Sequence, residues 1–289
     1  MKRLFLTAAA TAALSLVATA QAQTLRFASQ GDPQTMDPHS QNESFTNSVN
    51  QQVYEYLIHR DKQLNFVPGL ATSWEQLSPL KWRFKLRSGV KFHDGSAFNA
   101  DDVVYSINRA KEPTSQIAVY ANAVGVPKKI DDLTVEFEMT KVNPIFLEHI
   151  APLFMLDKEW SEKNKATKPQ DFKNKEEHFA AMNANGTGPF MLVKREPGIK
   201  TTWKRNPNYW GKIEGNVQEV VFTPIGNDAT RSAALISGEL DFILDPPPRD
   251  VARLRNTAGV KVIDGPENRV VFIGMDQFRD EALYTSVKG

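Results

Sequence analysis

The chain reads as a mixed α/β protein with more than one sheet, and three observations carry that reading. Lys81–Arg87 alternates without a fault: Trp82, Phe84 and Leu86 point one way, Lys81, Arg83, Lys85 and Arg87 the other. That is the period of a strand with one buried and one solvated face. Ser88-Gly89 and Asp94-Gly95 then make turns, and Asn99 opens a helix. Asp102 lies near the positive end of its dipole, and Val103, Val104 and Ile107 fall on one side. Further along, strands and helices alternate but hairpins intrude, which excludes a single parallel sheet.

From the N-terminus, Lys2 and Arg3, the apolar alanine-rich run Leu4–Ala20 and the A-x-A site Ala20-Gln21-Ala22 have the form of a secretory signal peptide over residues 1–22. Thr24–Ala28 alternates like a strand and ends in a turn, Ser29–Pro33. Between Phe45 and Ile58, the residues Val49, Val53, Tyr54, Tyr56 and Leu57 fit one amphipathic helix. Leu133–Met139 is a strand whose outer face carries Glu136 and Glu138, so it is expected to lie antiparallel beside the basic-faced Lys81–Arg87. Asn143-Pro144 opens a short helix ending at Ile150. Ser161–Asn185, lysine-rich and weakly patterned, reads as a solvated excursion.

Phe190–Lys194 and Thr201–Arg205 form a hairpin turning at Glu196-Pro197-Gly198, and Val217–Ile225 is a further strand. Asp228 caps a helix through Ile236 that Gly238 stops. Leu240, Phe242 and Leu244 resume strand alternation before Pro246-Pro247-Pro248. Asp250–Arg255 is helical, and Val260–Ile263 and Val270–Ile273 are strands.

A chain of 289 residues can bury two cores. Signal cleavage would take Lys2 and Arg3 from 35 basic residues set against 34 acidic ones, leaving a near-neutral protein. It has no basic footprint for nucleic acid. With no cysteine, it has no disulfide, thiol nucleophile or thiolate metal site, and an exported domain of this composition relies on its core alone. The five histidines, His39, His59, His93, His149 and His178, make no H-x-x-x-H or H-E-x-x-H pair. His93 beside Asp94 reads as a polar turn residue more readily than as a ligand or relay. There is no G-x-S-x-G elbow and no phosphate loop, and Gly186-Thr187-Gly188 lacks the third glycine of a dinucleotide fingerprint. Nothing in the residues points to catalysis, a cofactor or a metal.

The block Ala71–Arg109 resembles, over its whole length, the signature of the family 5 extracellular solute-binding proteins, the peptide and nickel receptors of bacterial ABC importers. Further anchors follow in that family's order: Gly186-Thr187-Gly188-Pro189-Phe190, then Arg205-Asn206-Pro207-Asn208-Tyr209-Trp210, then Asp228–Arg231 leading to Ser237-Gly238-Glu239-Leu240-Asp241.

The resemblance implies a periplasmic binding protein-like fold with mixed sheets in two lobes. Residues 23–58 and 186–275 would form a discontinuous, incomplete first lobe and residues 59–185 a second, with residues 276–289 starting a third that is missing from this chain. It implies a non-catalytic periplasmic receptor that is monomeric, takes up a peptide and hands it to permease subunits in the inner membrane. The peptide would bind like an added strand, and hinge closure would trap it. Carried over residue by residue, ligand contacts would come from Gln30, Gly31 and Asp32, from Gly188, Pro189 and Phe190, from Asp245, Pro246 and Pro247, and from Asn268 and Arg269. Asp32 or Arg269 would meet a charged ligand terminus, the competing role being a surface salt bridge. Nickel chelates, glutathione, opines and oligosaccharides remain open as solutes. An envelope hydrolase with its catalytic residues in the missing half, and a structural envelope module, are the readings from other classes.

Overall fold

The computed structural model describes residues 23–265 and 272–275, and the chain divides into two compact units after Pro247. The signal segment, Asn268, Arg269, Val270 and residues 276–289 lie outside the described residues. In chain order the first unit contains β1 (Gln23–Ser29), α1 (Ser44–Asn50), β2 (Ile58–Arg60), β3 (Phe66–Pro68), β4 (Ala71–Ser78), β5 (Lys81–Leu86), α2 (Ala100–Arg109) and α3 (Ala118–Ala123). It continues with β6 (Val126–Asp131), β7 (Thr134–Glu138), α4 (Phe146–Ile150), α5 (Lys158–Lys163), α6 (Phe179–Met182), β8 (Phe190–Glu196), β9 (Lys200–Arg205), β10 (Val217–Pro224), α7 (Asp228–Ile236) and β11 (Phe242–Ile243). The second unit holds a 3₁₀ turn, Pro248–Asp250, and α8 (Val251–Arg255).

One sheet is four-stranded and antiparallel, in the order β4-β5-β7-β6. The expected pairing of β5 with β7 is present, with Trp82 opposite Phe137, Phe84 opposite Val135 and Arg83 opposite Glu136. Phe84, Val135 and Phe137 are fully buried and pack with Val103 and Ile107 of α2 and with Phe146 and Ile150 of α4. On the other face Arg83 reaches Glu136 at 2.5 Å and Lys81 reaches it at 3.5 Å. Asn99 caps α2: its Oδ1 accepts the Asp101 N–H at 2.7 Å, and Asp102 Oδ2 accepts the Asn99 N–H at 2.9 Å.

The other large sheet is mixed, in the order β11-β1-β10-β9-β8, with β1 running parallel to both β10 and β11. Its core joins Trp203 and Phe222 to Met36, Val49, Val53 and Tyr54. The helix expected from Phe45 to Ile58 ends at Asn50, where the N–H groups of Val53 and Tyr54 both turn back to the Asn50 carbonyl. Beyond it the chain is extended, and Tyr56 bridges to Phe154 with their rings stacked at 4.4 Å. Val53, Tyr54 and Leu57 are buried because the chain passes between the sheets here, so apolar residues on every side imitated a helical period.

Other expectations are corrected. Asn227, not Asp228, caps α7, its Oδ1 accepting the Thr230 N–H at 3.0 Å. Only Phe242 and Ile243 of the 240–244 run pair as strand, with Ile243 buried and Phe242 exposed. Val260–Ile263 is not a strand; the Val260 N–H turns back to the Thr257 carbonyl. Phe272 and Ile273 carry no regular structure.

Ser161–Asn185 is solvated along residues 172–177, as expected, but is pinned down at Ala166–Gln170. Arg109, fully buried on α2, clasps Asp37 through two hydrogen bonds of 2.9 and 2.8 Å and donates also to the carbonyls of Ala166 and Lys168. The Gln170 N–H completes the Asp37 carboxylate at 2.8 Å. Asp37 belongs to the loop after β1, so this buried pair ties the mixed sheet's chain to the helix of the antiparallel sheet.

Candidate functional site

Because β1, β10 and β11 are parallel, their carboxyl ends share one rim of the mixed sheet, the place where α/β folds form ligand crevices. The Ser29 carbonyl accepts the Ile225 N–H and the Ala28 carbonyl the Leu244 N–H, each at 2.9 Å. Just past these bonds lie Gln30, Gly31 and Asp32 on one strand and Asp245, Pro246 and Pro247 on the other, so six of the predicted residues do come together. Gln30 and Gly31 are exposed, and a Cβ on Gly31 would meet nothing within 4 Å. Asp32 is engaged within the fold: its Oδ2 accepts Arg195 Nη2 at 3.2 Å and the Gly198 N–H at 3.1 Å. Asp245 takes the left-handed conformation at φ 48°.

Arg231, buried on α7, organises this rim and was not singled out from the sequence as a site residue. It donates to the Ile225 carbonyl at 2.6 Å, to the Asp245 carbonyl at 3.2 Å and to Asp228 Oδ1 at 2.8 Å. Its signal was an arginine set among the small and apolar residues of one helix.

Gly188, Pro189 and Phe190 are elsewhere. β8 runs in the same direction as β10, so Phe190, its first residue, lies at the amino-end rim. The Gly188 N–H donates to the Val53 carbonyl and the Phe190 N–H to the Gln52 carbonyl, both at 2.9 Å. A Cβ on Gly186 would stand 1.9 Å from the Val53 oxygen, and one on Gly188 2.7 Å from that of Gln52. His93 sits in the expected turn but is half-buried and braces the same corner, its Nε2 lying 3.0 Å from the Gly188 oxygen. Burial holds its imidazole below the ordinary value. The corner is a packed crossing of two chain segments.

Beside this crossing opens a cavity of about 790 Å³, walled by Tyr56 and His59, by Tyr120 and Ala151, and by Pro189 and Tyr209. Glu55 also lines it and is 2% exposed. The Glu55 carboxylate accepts from Thr187 Oγ1 at 2.8 Å, Trp210 Nε1 at 2.7 Å and Tyr209 OH at 3.0 Å. Burial, then the Glu55 charge, pushes the Tyr209 phenol well above its ordinary value. At the mouth Arg60 pairs with Glu148. A second, apolar groove of about 380 Å³ opens on the mixed sheet, lined by Phe27, Phe45, Phe190, Trp203, Val220 and Phe242. Among the described residues no cluster of three or more His, Asp or Glu side chains is placed to hold a metal.

The family model of the bacterial extracellular solute-binding proteins, family 5 Middle, matches residues 65–281, and the chain belongs to that family. It is 29% identical over 286 residues to the dipeptide-binding protein of Escherichia coli strain K12, covering 90% of this chain and 52% of that one. Among solved structures, the ABC transporter-associated periplasmic binding protein DppA of Helicobacter pylori, in complex with the peptide STSA, has a TM-score of 0.70. It is 26% identical, covering 81% of this chain and 49% of its own. NikZ of Campylobacter jejuni, in complex with Ni(L-His), has a TM-score of 0.70 at 25% identity, covering 81% of this chain and 45% of its own. The chain spans about half the length of the relatives it matches. These relatives are binding proteins by name, not enzymes.

Proposed function

We propose that this chain is part of a periplasmic receptor that captures a peptide and delivers it to the permease of an ABC importer. Family membership carries the reading, together with what its relatives bind: dipeptides, the peptide STSA and a nickel chelate of histidine all present amino-acid main-chain groups. In this reading residues 23–58 and 186–275 make one lobe around the mixed sheet and residues 59–185 the other. The solute lies along the carboxyl-end rim, where Gln30 and Gly31 offer open backbone and Asp245–Pro247 form the facing turn, and the half of each relative not covered here supplies the opposite wall. Asp32 supports the rim through Arg195. The N-terminal segment directs export and is removed after Ala22, and the receptor works as a monomer.

The test is mass spectrometry of what the protein, purified from periplasm, releases on denaturation. Intact peptides are the expected result. Hydrolysed fragments would favour an enzyme, a nickel–amino acid chelate the other receptor class, and no solute at all a structural module.

A further inference from the structure

We infer that Glu55 is a positioning residue for the 790 Å³ cavity, holding Tyr209 of its wall and the adjoining Trp210 against the two segments that cross between the sheets. Three donors meet on this one carboxylate, and they are far from it in sequence: Thr187 by 132 residues, Tyr209 by 154 and Trp210 by 155. Thr187 belongs to the segment returning to β8, Tyr209 and Trp210 to the loop after β9, and Glu55 to the outgoing segment, so one buried carboxylate adds a side-chain link among three stretches that backbone bonds also connect. Hydrogen bonds to an ionised acceptor are about twice as strong as neutral ones.

Trp210 is gripped from two directions. Its indole N–H points to Glu55, and the Arg87 guanidinium lies over its ring at 4.1 Å, itself fixed by donating to the Gly69 carbonyl at 3.1 Å. Tyr209, the neighbouring residue, presents its ring to the cavity while its hydroxyl is held from beneath. Trp210 also packs against the core of the antiparallel sheet, so Glu55 fixes the orientation of two rings that apolar contact holds in place. The assignment does not depend on which solute the protein binds.

The indole N–H signals of the full chain, with its five tryptophans, can be followed by ¹⁵N NMR, the Trp210 signal being assigned by its loss in Trp210→Phe. Exchange of that proton with water is the readout. In Glu55→Leu it should speed up roughly 10- to 100-fold, the range set by losing one charge-assisted hydrogen bond. Glu55→Gln, which keeps an acceptor for the indole and Thr187 and offers its NH₂ to the Tyr209 oxygen, should restore most of the protection. Trp82, stacked on Phe146 at 5.0 Å and making no hydrogen bond to Glu55, is the internal control and should not change.

Equal acceleration at Trp82 and Trp210 would mean general loosening and would overturn the assignment, as would unchanged Trp210 exchange. Should Glu55→Leu fail to fold, Tyr209→Phe removes one clamped hydroxyl and leaves the carboxylate two donors. Faster Trp210 exchange in that variant, with Trp82 unmoved, supports the assignment, and no change there refutes it.

Discussion

Single side chains in this fold differ widely in what they contribute, and burial sorts them. Phe84 is fully buried against Phe137 and Phe146, whereas Arg83, its neighbour on the opposite face, is a third exposed. Phe84→Ala should cost about 3–5 kcal/mol and Arg83→Ala about 0.2–1, which urea melts of the two variants can separate. Equal losses would mean that the two faces of β5 are misassigned. The Asp37–Arg109 pair adds a dependence on pH. Burial by itself would raise the Asp37 carboxyl, but the charge and hydrogen bonds of Arg109 hold it at about 2, below its ordinary 3.8. Burial holds His39, whose Nε2 lies 3.0 Å from the Phe154 oxygen, at about 3, below 6.5. Both values lie under those of the unfolded chain, so on acidification the unfolded state binds protons first. The stability these two groups contribute is full above pH 6.5 and declines below it, through His39 first and then, under 3.8, through Asp37 as well. The Asp37 share is about 2 kcal/mol at 1.36 kcal/mol per unit. Asp102, which burial pushes up to about 7, works in the opposite direction between pH 7 and 3.8, so the check is a comparison. From about pH 7 to pH 4 the urea midpoint of His39→Gln should fall less, or rise more, than that of the parent, and identical slopes would contradict the assignment.

At the scale of elements, the packed crossing makes glycine indispensable at one of two places that the sequence treats alike. Gly186→Ala drives a Cβ into the Val53 carbonyl and should lower the melting temperature by many degrees, while Gly31→Ala, with open space around it, should leave it unchanged. Calorimetry of the two variants decides. Equal effects would mean that the crossing is looser than its distances imply. The sequence made β5, β7 and the β8–β9 hairpin legible because each has one wet and one dry face, so period two survives in the residue types. It was silent where both faces are covered: the buried segment from Val53 to Leu57, a turn followed by extended chain, looked helical, and Asp37, Arg109 and Glu55 gave no hint of burial because charged residues are ordinarily exposed. The rim was legible in part. Gln30–Asp32 and Asp245–Pro247 meet through parallel pairing with β1, but the opposite end occupied by Gly188–Phe190 depends on the direction of β8, which periodicity does not encode.

For the molecule as a whole, the apolar groove on the mixed sheet predicts that the chain binds an amphiphilic fluorescent dye such as anilinonaphthalene sulfonate while still folded. Phe242→Ser, at a half-exposed position on its lip, should weaken that signal without unfolding the protein, and dye fluorescence that is absent from the native state would contradict an open groove. N-terminal sequencing of periplasmic protein should begin at Gln23, which is also where β1 begins. Retention of Met1 in a membrane fraction would refute cleavage. The place of β1 between β10 and β11 sets a timetable for the nascent chain. Thr24 waits for Glu219, 195 residues away, whereas the strands of the antiparallel sheet lie within one continuous stretch. At ribosomal rates of ~5–20 residues per second, the first strand stays unpaired for roughly 10–40 s. Long-range parallel pairing is intrinsically slow as well. Pulse-labelled amides of β5 and β7 should therefore gain protection before those of β1. The leading end of the polypeptide stays threadable for as long as its partners are still being made, a delay that would suit the export we propose for this chain.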